Sequence, residues 1–339
     1  MISPLPEIIP YVILYLMKHC FVVNPAAGSG KDQQVIMPYI MDGVKQRGAI
    51  YEIHRTSGPG EATSFVRGRL ESEPDETIRF YACGGDGSVA EVLNGLYGFS
   101  NAELAIIPLG SGNDYVRNFG ERKQFLDVPA QIAGEAVPVD VMRFSYIPHN
   151  DNDTDDAGII SSYALNMINI GFDARVASRM AQMKRLFFLK GTGAYVAGIV
   201  WELAGYGMGR AVFRIEGMDD LETDILLAGV GSGQYSGGGF KGVPGAVVND
   251  GELDFMVIEP IKRSEFIRLV GAYHDGKHPE NERLKGKLHM ARAKEVIIEP
   301  AAPLVFTADG EPLCTNKPLT VSVAEEKVRF VIPDGIKKP

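Results

Sequence analysis

The sequence predicts a two-domain α/β protein: an N-terminal α/β domain built on a parallel sheet, then a C-terminal β-sandwich-like domain. Three observations carry that expectation. The chain has 339 residues, about twice a typical domain length. Up to about Val137 it alternates short apolar runs with stretches of helical spacing. Beyond that point consecutive strand-like runs dominate.

In the first part, CFVVN (20–24), AIYEIH (49–54), TIRFYA (77–82) and ELAIIP (103–108) read as buried strands, each rich in β-branched or aromatic residues. Between the first two, Val35, Ile36, Tyr39, Ile40 and Val44 recur at helical spacing, although Pro38 interrupts the pattern. Strand–helix alternation of this kind makes a parallel sheet covered by helices, with ligands at the carboxyl ends of the strands. In the second part VPVDVMRFSYI, SSYALNMINI, RAVFRIE, DILLAGVG, ELDFMVIE, EVIIEP and LTVSV read as strands. Helical material is confined mainly to about Ala174–Tyr206 and Ser264–Tyr273.

Composition removes several function classes. With 34 basic and 43 acidic residues the net charge is −9, the wrong sign for a dedicated duplex-DNA binder, so no nucleic-acid partner is expected. Cys20, Cys83 and Cys314 are far apart and form no C-x-x-C pair, which argues against a zinc ribbon or a disulfide framework and fits the cytoplasm. The apolar run Ile8–Met17 is shorter than the ~20 residues that span a bilayer and no Lys or Arg precedes it. Met17 is the expected natural start, with 1–16 an upstream extension; a short membrane-surface or packing segment is the alternative.

Two further features read more plainly than their residue types suggest. The stretch HNDNDTDDAG (149–158) spaces its aspartates like a calcium loop. Asp156 and Ser162 nevertheless stand where such a loop needs Gly and Glu, so a solvated hairpin loop is expected. His274 and His278 are four apart, but in HDGKHP the Gly and Pro indicate a loop rather than a metal-binding helix face.

Three glycine-rich turns each follow a predicted strand: Asn24 to Lys31 (NPAAGSGK), Gly84 to Ser88 (GGDGS) and Leu109 to Asp114 (LGSGND). Glycine lets a ligand approach the backbone, and a helix start adds its positive dipole end, so a phosphate is the natural guest. Any one such turn is as readily a tight strand-to-helix connection. Three at one sheet edge favour polyphosphate binding. Asp86 among the glycines has three readings: a Mg²⁺ ligand, an acceptor from the ligand, or an Asx turn or helix cap. Ser88 can cap a helix, bind phosphate, or both.

These pieces resemble the catalytic domain of diacylglycerol kinases, a lipid kinase group that also holds sphingosine and ceramide kinases. NPAAGSGK, GGDGSVAEVLNGL, IPLGSGNDYVR, INIGFDA (168–174), VNDGELD (248–254) and ADGE (308–311) occur in the family's order along nearly the whole chain. Ser88 and Ser111 stand where the family commonly has Thr, and Ala90 where it frequently has Asn. The resemblance implies an ATP-binding domain at 17–142 completed by a returning segment at 319–339. It also implies a lipid-substrate domain at 143–318, with ATP in the interdomain cleft. By matching position it implies nucleotide contacts from Asn24, Thr56, Gly85, Asp86, Gly87, Ser88, Val89, Ala90, Glu91 and Ser111. Glu311 is implied as the catalytic general base, with Asp86 beside the phosphates, and a Mg²⁺ held by Asp250 and the carbonyls of Val247 and Glu252.

A membrane-borne acceptor also has support outside the resemblance. Between Ala174 and Trp201 stand Arg175, Arg179, Lys184, Arg185 and Lys190 around Leu186-Phe187-Phe188-Leu189, with no acidic residue. Such a stretch suits anionic headgroups, and suits equally a helix that packs its aromatics inward. The expectation is an ATP- and Mg²⁺-dependent lipid kinase, most simply acting on diacylglycerol. It would be cytoplasmic, associated with the membrane surface and capable of forming a homodimer. A kinase for another lipid alcohol, a soluble-substrate kinase of the NAD kinase type and a non-catalytic nucleotide or lipid sensor are the rivals.

Overall fold

The computed structural model describes residues 17–27, 32–110, 112–149, 158–185 and 209–339. They divide into two units: the residues before Asp140 together with Glu326–Pro339, and Asp140–Glu325. The expected extension at 1–16, most of the acidic loop and the GSGK end of the first glycine turn lie outside the described residues.

The first unit alternates as the sequence predicts, but AIYEIH, expected as a buried strand, forms an edge strand exposed or half-buried along its length. The unit's elements are β1 (Lys18–Val23), α1 (Asp32–Arg47), β2 (Ile50–Arg55), α2 (Glu61–Ser72), β3 (Ile78–Gly84), α3 (Asp86–Leu96), β4 (Ala102–Pro108), α4 (Val128–Ala133) and β5 (Glu135–Val139). β1 to β4 run parallel, in the spatial order β2-β1-β3-β4. β3 and β4 are buried at every position, as a strand covered on both faces must be. Along α1 the covered residues are Ile36, Ile40 and Val44, whereas Tyr39 faces solvent despite its place in the apolar pattern. Those three pack with Phe21, Tyr81, Ile107 and, from α4, Val128 and Ile132. Each such side chain contributes about 1.5–3 kcal/mol by leaving water.

The second unit contains β6 (Met142–Tyr146), β7 (Ile160–Ala164), β8 (Met167–Gly171), α5 (Phe172–Arg185), β9 (Gly209–Ile215), β10 (Leu221–Ile225) and β11 (Leu227–Gly231). A short hairpin of β12 (Tyr235–Ser236) and β13 (Phe240–Lys241) follows. Next come β14 (Leu253–Ile258), α6 (Arg263–His274), β15 (Leu288–Ala293) and β16 (Glu295–Pro300). β17 (Leu304–Ala308), β18 (Glu311–Thr315) and β19 (Leu319–Val323) complete the unit. Two antiparallel sheets, β10-β9-β16-β19-β6-β7 and β15-β14-β11-β8-β17-β18, form a sandwich. Phe144, Phe213 and Val296 of one sheet meet Ile168, Phe255 and Phe306 of the other in its core.

The expectation for the C-terminal segment needs correction. Leu319–Val323 does not return to the first unit; β19 lies between β16 and β6, and its alternation puts Leu319 and Val321 into the sandwich core. Only β20 (Val328–Ile332) returns, parallel to β4 and antiparallel to β5. β20 is covered at every position but Arg329, as an interior strand requires. β5 therefore forms the sheet edge, where Pro138, which lacks an N–H, is tolerated.

A buried ion pair locks the returning strand in place. Arg79 Nε donates to Glu103 Oε2 at 2.8 Å, and Arg79 Nη1 donates to the carbonyls of Gln131 and Ile132 at the end of α4. Arg329 of β20 reaches the second Glu103 oxygen at 2.7 Å.

Candidate functional site

The carboxyl ends of four parallel strands bring the predicted nucleotide residues together. In sheet order these are Thr56 after β2, Asn24 after β1, Gly84–Gly85 at the end of β3 and Leu109–Gly110 after β4. Thr56 N donates to Val23 O at 3.0 Å and Asn24 N to Cys83 O at 3.1 Å, so each loop starts from a carbonyl at the end of a neighbouring strand.

The glycines are there because the loops lie backbone to backbone. A Cβ on Gly110 would stand 2.5 Å from the Cα of Gly85, and one on Gly112 would stand 2.5 Å from Asp86 Oδ2. Leu109 N and Gly110 N both donate to Gly84 O, at 2.9 and 3.1 Å. Asn113, held at a left-handed φ of 53°, returns a bond from Nδ2 to the same carbonyl at 3.0 Å.

Asp86 is tied to the neighbouring glycine turn, and α3 carries no side-chain cap bond at its start. The Asp86 oxygens accept from the backbone N–H groups of Asn113 at 3.0 Å and Asp114 at 3.2 Å, bracing the second glycine turn against the third. Ser88 Oγ accepts from Asn24 Nδ2 at 3.0 Å, which ties in the first turn. Three loops are thus interlocked around the start of α3. Gly85 caps that helix without a side-chain bond, and its dipole end faces the same edge.

The stretch Gly85–Glu91 does not act as one block. Gly85, Asp86, Gly87 and Ser88 sit at the strand-end rim, half-buried. Val89 is buried, so only its backbone could meet a ligand. Ala90 offers its carbonyl to Asn94 Nδ2 at 2.8 Å. Glu91 turns away: its carboxylate accepts from Ala62 N at 3.1 Å at the start of α2, and its carbonyl accepts from the Thr63 hydroxyl at 2.9 Å. Ser111 lies outside the described residues.

In the second unit Glu311 opens β18, exposed to solvent, directly after the turn that joins it to β17. Asp309 and Gly310 take φ of 45° and 85°, the left-handed pair that a two-residue hairpin turn demands. The Asp309 carboxylate accepts three consecutive backbone N–H groups, from Leu165 at 2.7 Å, Asn166 at 2.9 Å and Met167 at 3.0 Å. Asp309 N donates in turn to Met167 O at 3.0 Å. The turn is therefore pinned to the start of β8, and Glu311 is presented from a fixed support. Sequence reading did not single out Asp309; the Asp-Gly pair between two apolar runs is the signal that finds the turn.

α5 packs on β8, β17 and β18, the hairpin that carries Glu311. Phe172, Ala174 and Val176 are buried beneath it, and Phe172 meets Phe266 of α6 edge-on at 4.8 Å. Tyr273 Oη donates to Asp173 Oδ2 at 2.8 Å. Burial raises the Asp173 carboxyl to about 6, against which the tyrosine bond works. Arg175, Arg179, Lys184 and Arg185 of the basic stretch belong to this helix, whereas Leu186 to Lys190 lie outside the described residues. No helix among the described residues is long and apolar enough to cross a membrane.

The residues assigned to Mg²⁺ stand differently from that expectation. Asp250 and Glu252 share one guanidinium: Arg292 Nη2 pairs with Asp250 Oδ2 and lies 3.1 Å from Glu252 Oε2. The other Asp250 oxygen accepts from Glu252 N at 3.1 Å, and Val247 is exposed. Oxygen donors of this kind suit Mg²⁺, yet at Asp250 Oδ2 a cation would compete with Arg292. No group of three or more His, Cys, Asp or Glu among the described residues is placed to hold a metal. The Asp250 and Glu252 carboxylates are thus engaged by a cation of the chain itself. His278 does not pair with His274 either: it is buried against the Tyr273 ring, and burial lowers it to about 4. Cys83 is buried, as its strand position suggests, and burial pushes its thiol well up.

Two family models match successive parts of the chain. Residues 18–144 match the diacylglycerol kinase catalytic domain, and residues 166–332 match the YegS C-terminal NAD kinase beta sandwich-like domain. A relative in Alcanivorax borkumensis named "Probable lipid kinase YegS-like" is 27% identical over 311 residues, 91% of this chain and 95% of the relative. A Mycobacterium tuberculosis diacylglycerol kinase is 29% identical over 233 residues, 68% of this chain and 69% of the relative. A Bacillus anthracis diacylglycerol kinase structure superposes with a TM-score of 0.62 at 21% identity, covering 94% of this chain and 98% of that one.

Proposed function

We propose that this chain, which belongs to the diacylglycerol kinase catalytic-domain family of ATP-dependent lipid kinases, transfers the γ-phosphate of MgATP to the hydroxyl of diacylglycerol at a membrane surface. The observation that carries the reading is in the second unit: the basic helix α5 packs on the hairpin that presents Glu311. A lipid headgroup drawn to that helix brings its hydroxyl to the surface where a carboxylate waits.

A lipid alcohol is a poor nucleophile at neutral pH, so its proton must leave as it attacks. In this reading Glu311 takes that proton. The lipid oxygen forms its bond to the γ-phosphorus, the bond from that phosphorus to the bridging oxygen breaks, and ADP leaves. The interlocked loops of the first unit hold the phosphates with backbone N–H groups and the start of α3. Gly85, Gly87 and Ser88 are the contacts this reading favours, with Asn24 and Thr56 beside them. Asp86 keeps the loops together. Mg²⁺ bound with the nucleotide would supply charge neutralisation for the transferring group.

Mixed micelles holding diacylglycerol, sphingosine, ceramide, phosphatidylglycerol or an isoprenoid alcohol, with labelled ATP, test the reading. Label in phosphatidic acid, absent with Glu311→Gln, is the expected result. Label in another lipid alone would move the acceptor. Turnover of NAD or a sugar phosphate with no labelled lipid would overturn the reading, and ATP binding with no transfer at all would make the chain a sensor.

A further inference from the structure

We propose that Arg292 does, with a guanidinium, the cross-linking that a divalent cation would do at the Asp250–Glu252 turn, so that the fold of the second unit is independent of bound Mg²⁺. The turn connects the loop after β13 to β14, and two protein groups brace it from opposite sides. On one side stands Asp140, 1% exposed, whose N–H donates to Val248 O at 2.7 Å and whose Oδ2 accepts from Gly251 N at 2.7 Å. On the other side stands Arg292 of β15, directly across from Asp254 of β14 in the strand register.

The arrangement of charge separates the two possibilities. A metal needs oxygens that converge on one point within about 2.0–2.6 Å. Here the carboxylates surround a planar group instead. Arg292 Nη2 serves Asp250 and Glu252, while its Nε lies 3.6 Å from Asp254 Oδ2. One fork-shaped cation can serve several carboxylates in this way because its five N–H groups point outward in a plane. The Asp254 side chain is only 8% exposed, so its charge needs a partner that cannot drift away. A side chain built into β15 meets that need at any Mg²⁺ concentration.

Thermal unfolding of nucleotide-free protein tests the proposal without any activity assay. The wild type is expected to show the same midpoint in EDTA and in millimolar Mg²⁺. Arg292→Ala is expected to unfold about 2–4 °C lower in EDTA, a shift of the size a partly exposed charge network gives in a unit the size of Asp140–Glu325. Added Mg²⁺ should restore part of that loss, because the freed carboxylates can then take a cation. Arg292→Lys, with one point charge for three carboxylates, should fall between. If the Ala variant fails to fold, the wild type still decides. A Mg²⁺-dependent rise in its midpoint that Asp250→Asn abolishes would overturn the proposal, as would an Arg292→Ala midpoint equal to wild type in both buffers.

Discussion

The described parts of the glycine turns in the first unit and the Glu311 turn of the second are both braced, but in different ways. Around α3, backbone packs on backbone: Gly85 against Gly110, Gly112 against Asp86, with Asn113 and Asp114 donating into the same cluster. At Glu311 a single carboxylate, Asp309, gathers three N–H groups from a strand 142 to 144 residues earlier. The first arrangement tolerates almost no added atom. The second depends on one side chain's charge. In the proposed reaction a binding surface for phosphate would be built from shape, and a support for the proton acceptor from one well-satisfied anion.

The first test disturbs shape. Gly110→Ala puts a methyl group 2.5 Å from the Gly85 Cα, where only backbone can yield. ATP affinity should fall by about tenfold or more, or about 1.4 kcal/mol, measured by calorimetry. An unchanged affinity would separate these loops from the nucleotide. Next is the ion pair that holds β20 to the sheet. Glu103→Gln leaves Arg79 buried without its counter-charge, and denaturant unfolding should show a loss of about 3 kcal/mol or more. A loss below about 1 kcal/mol, the size of a surface pair, would show that Arg79 finds another partner.

Asp309→Asn comes third and tests charge against shape. The amide is nearly the same size but sets an NH₂ group against backbone donors. Turnover should fall about tenfold, some 1.4 kcal/mol, with ATP affinity unchanged. A change in affinity without a change in turnover would contradict the separation of roles. The last test concerns Asp173. Its folded carboxyl titrates near 6, above the ordinary 3.8, so burial favours the protonated form. The folded state then holds the proton more tightly, and stability falls as pH rises from about 4 through 6. Asp173→Asn should match the wild type near pH 4 and exceed it above pH 6, by roughly 2–3 kcal/mol at most. Equal pH profiles would show that the Tyr273 bond offsets burial fully.

How far the sequence could be read follows the same contrast. β1 to β4 and the glycine turns were legible because each is a local strand–turn–helix unit whose residues are neighbours in the chain. The two-domain α/β architecture followed from that rhythm. The details that were not legible all join distant residues. Leu319–Val323 and Val328–Ile332 look alike as apolar runs, yet they enter different sheets because only tertiary packing tells a half-buried strand from a fully buried one. Glu91 and Val89 lie inside a glycine-led motif, but a helix turns each residue by about 100°, which points these two to α2 and the core. Arg292 stands 42 residues beyond Asp250, and nothing local marks it as the partner of that turn.

The most direct test of the account is ATP affinity measured side by side with lipid phosphorylation on the wild type and Glu311→Gln. If Glu311 is the proton acceptor for the lipid hydroxyl, ATP should bind the two proteins within about twofold of each other. Transfer should then fall by about 10²–10⁴, the usual worth of a positioned base. Near-normal transfer by Glu311→Gln would contradict the account, and so would a loss of transfer matched by an equal loss of ATP affinity.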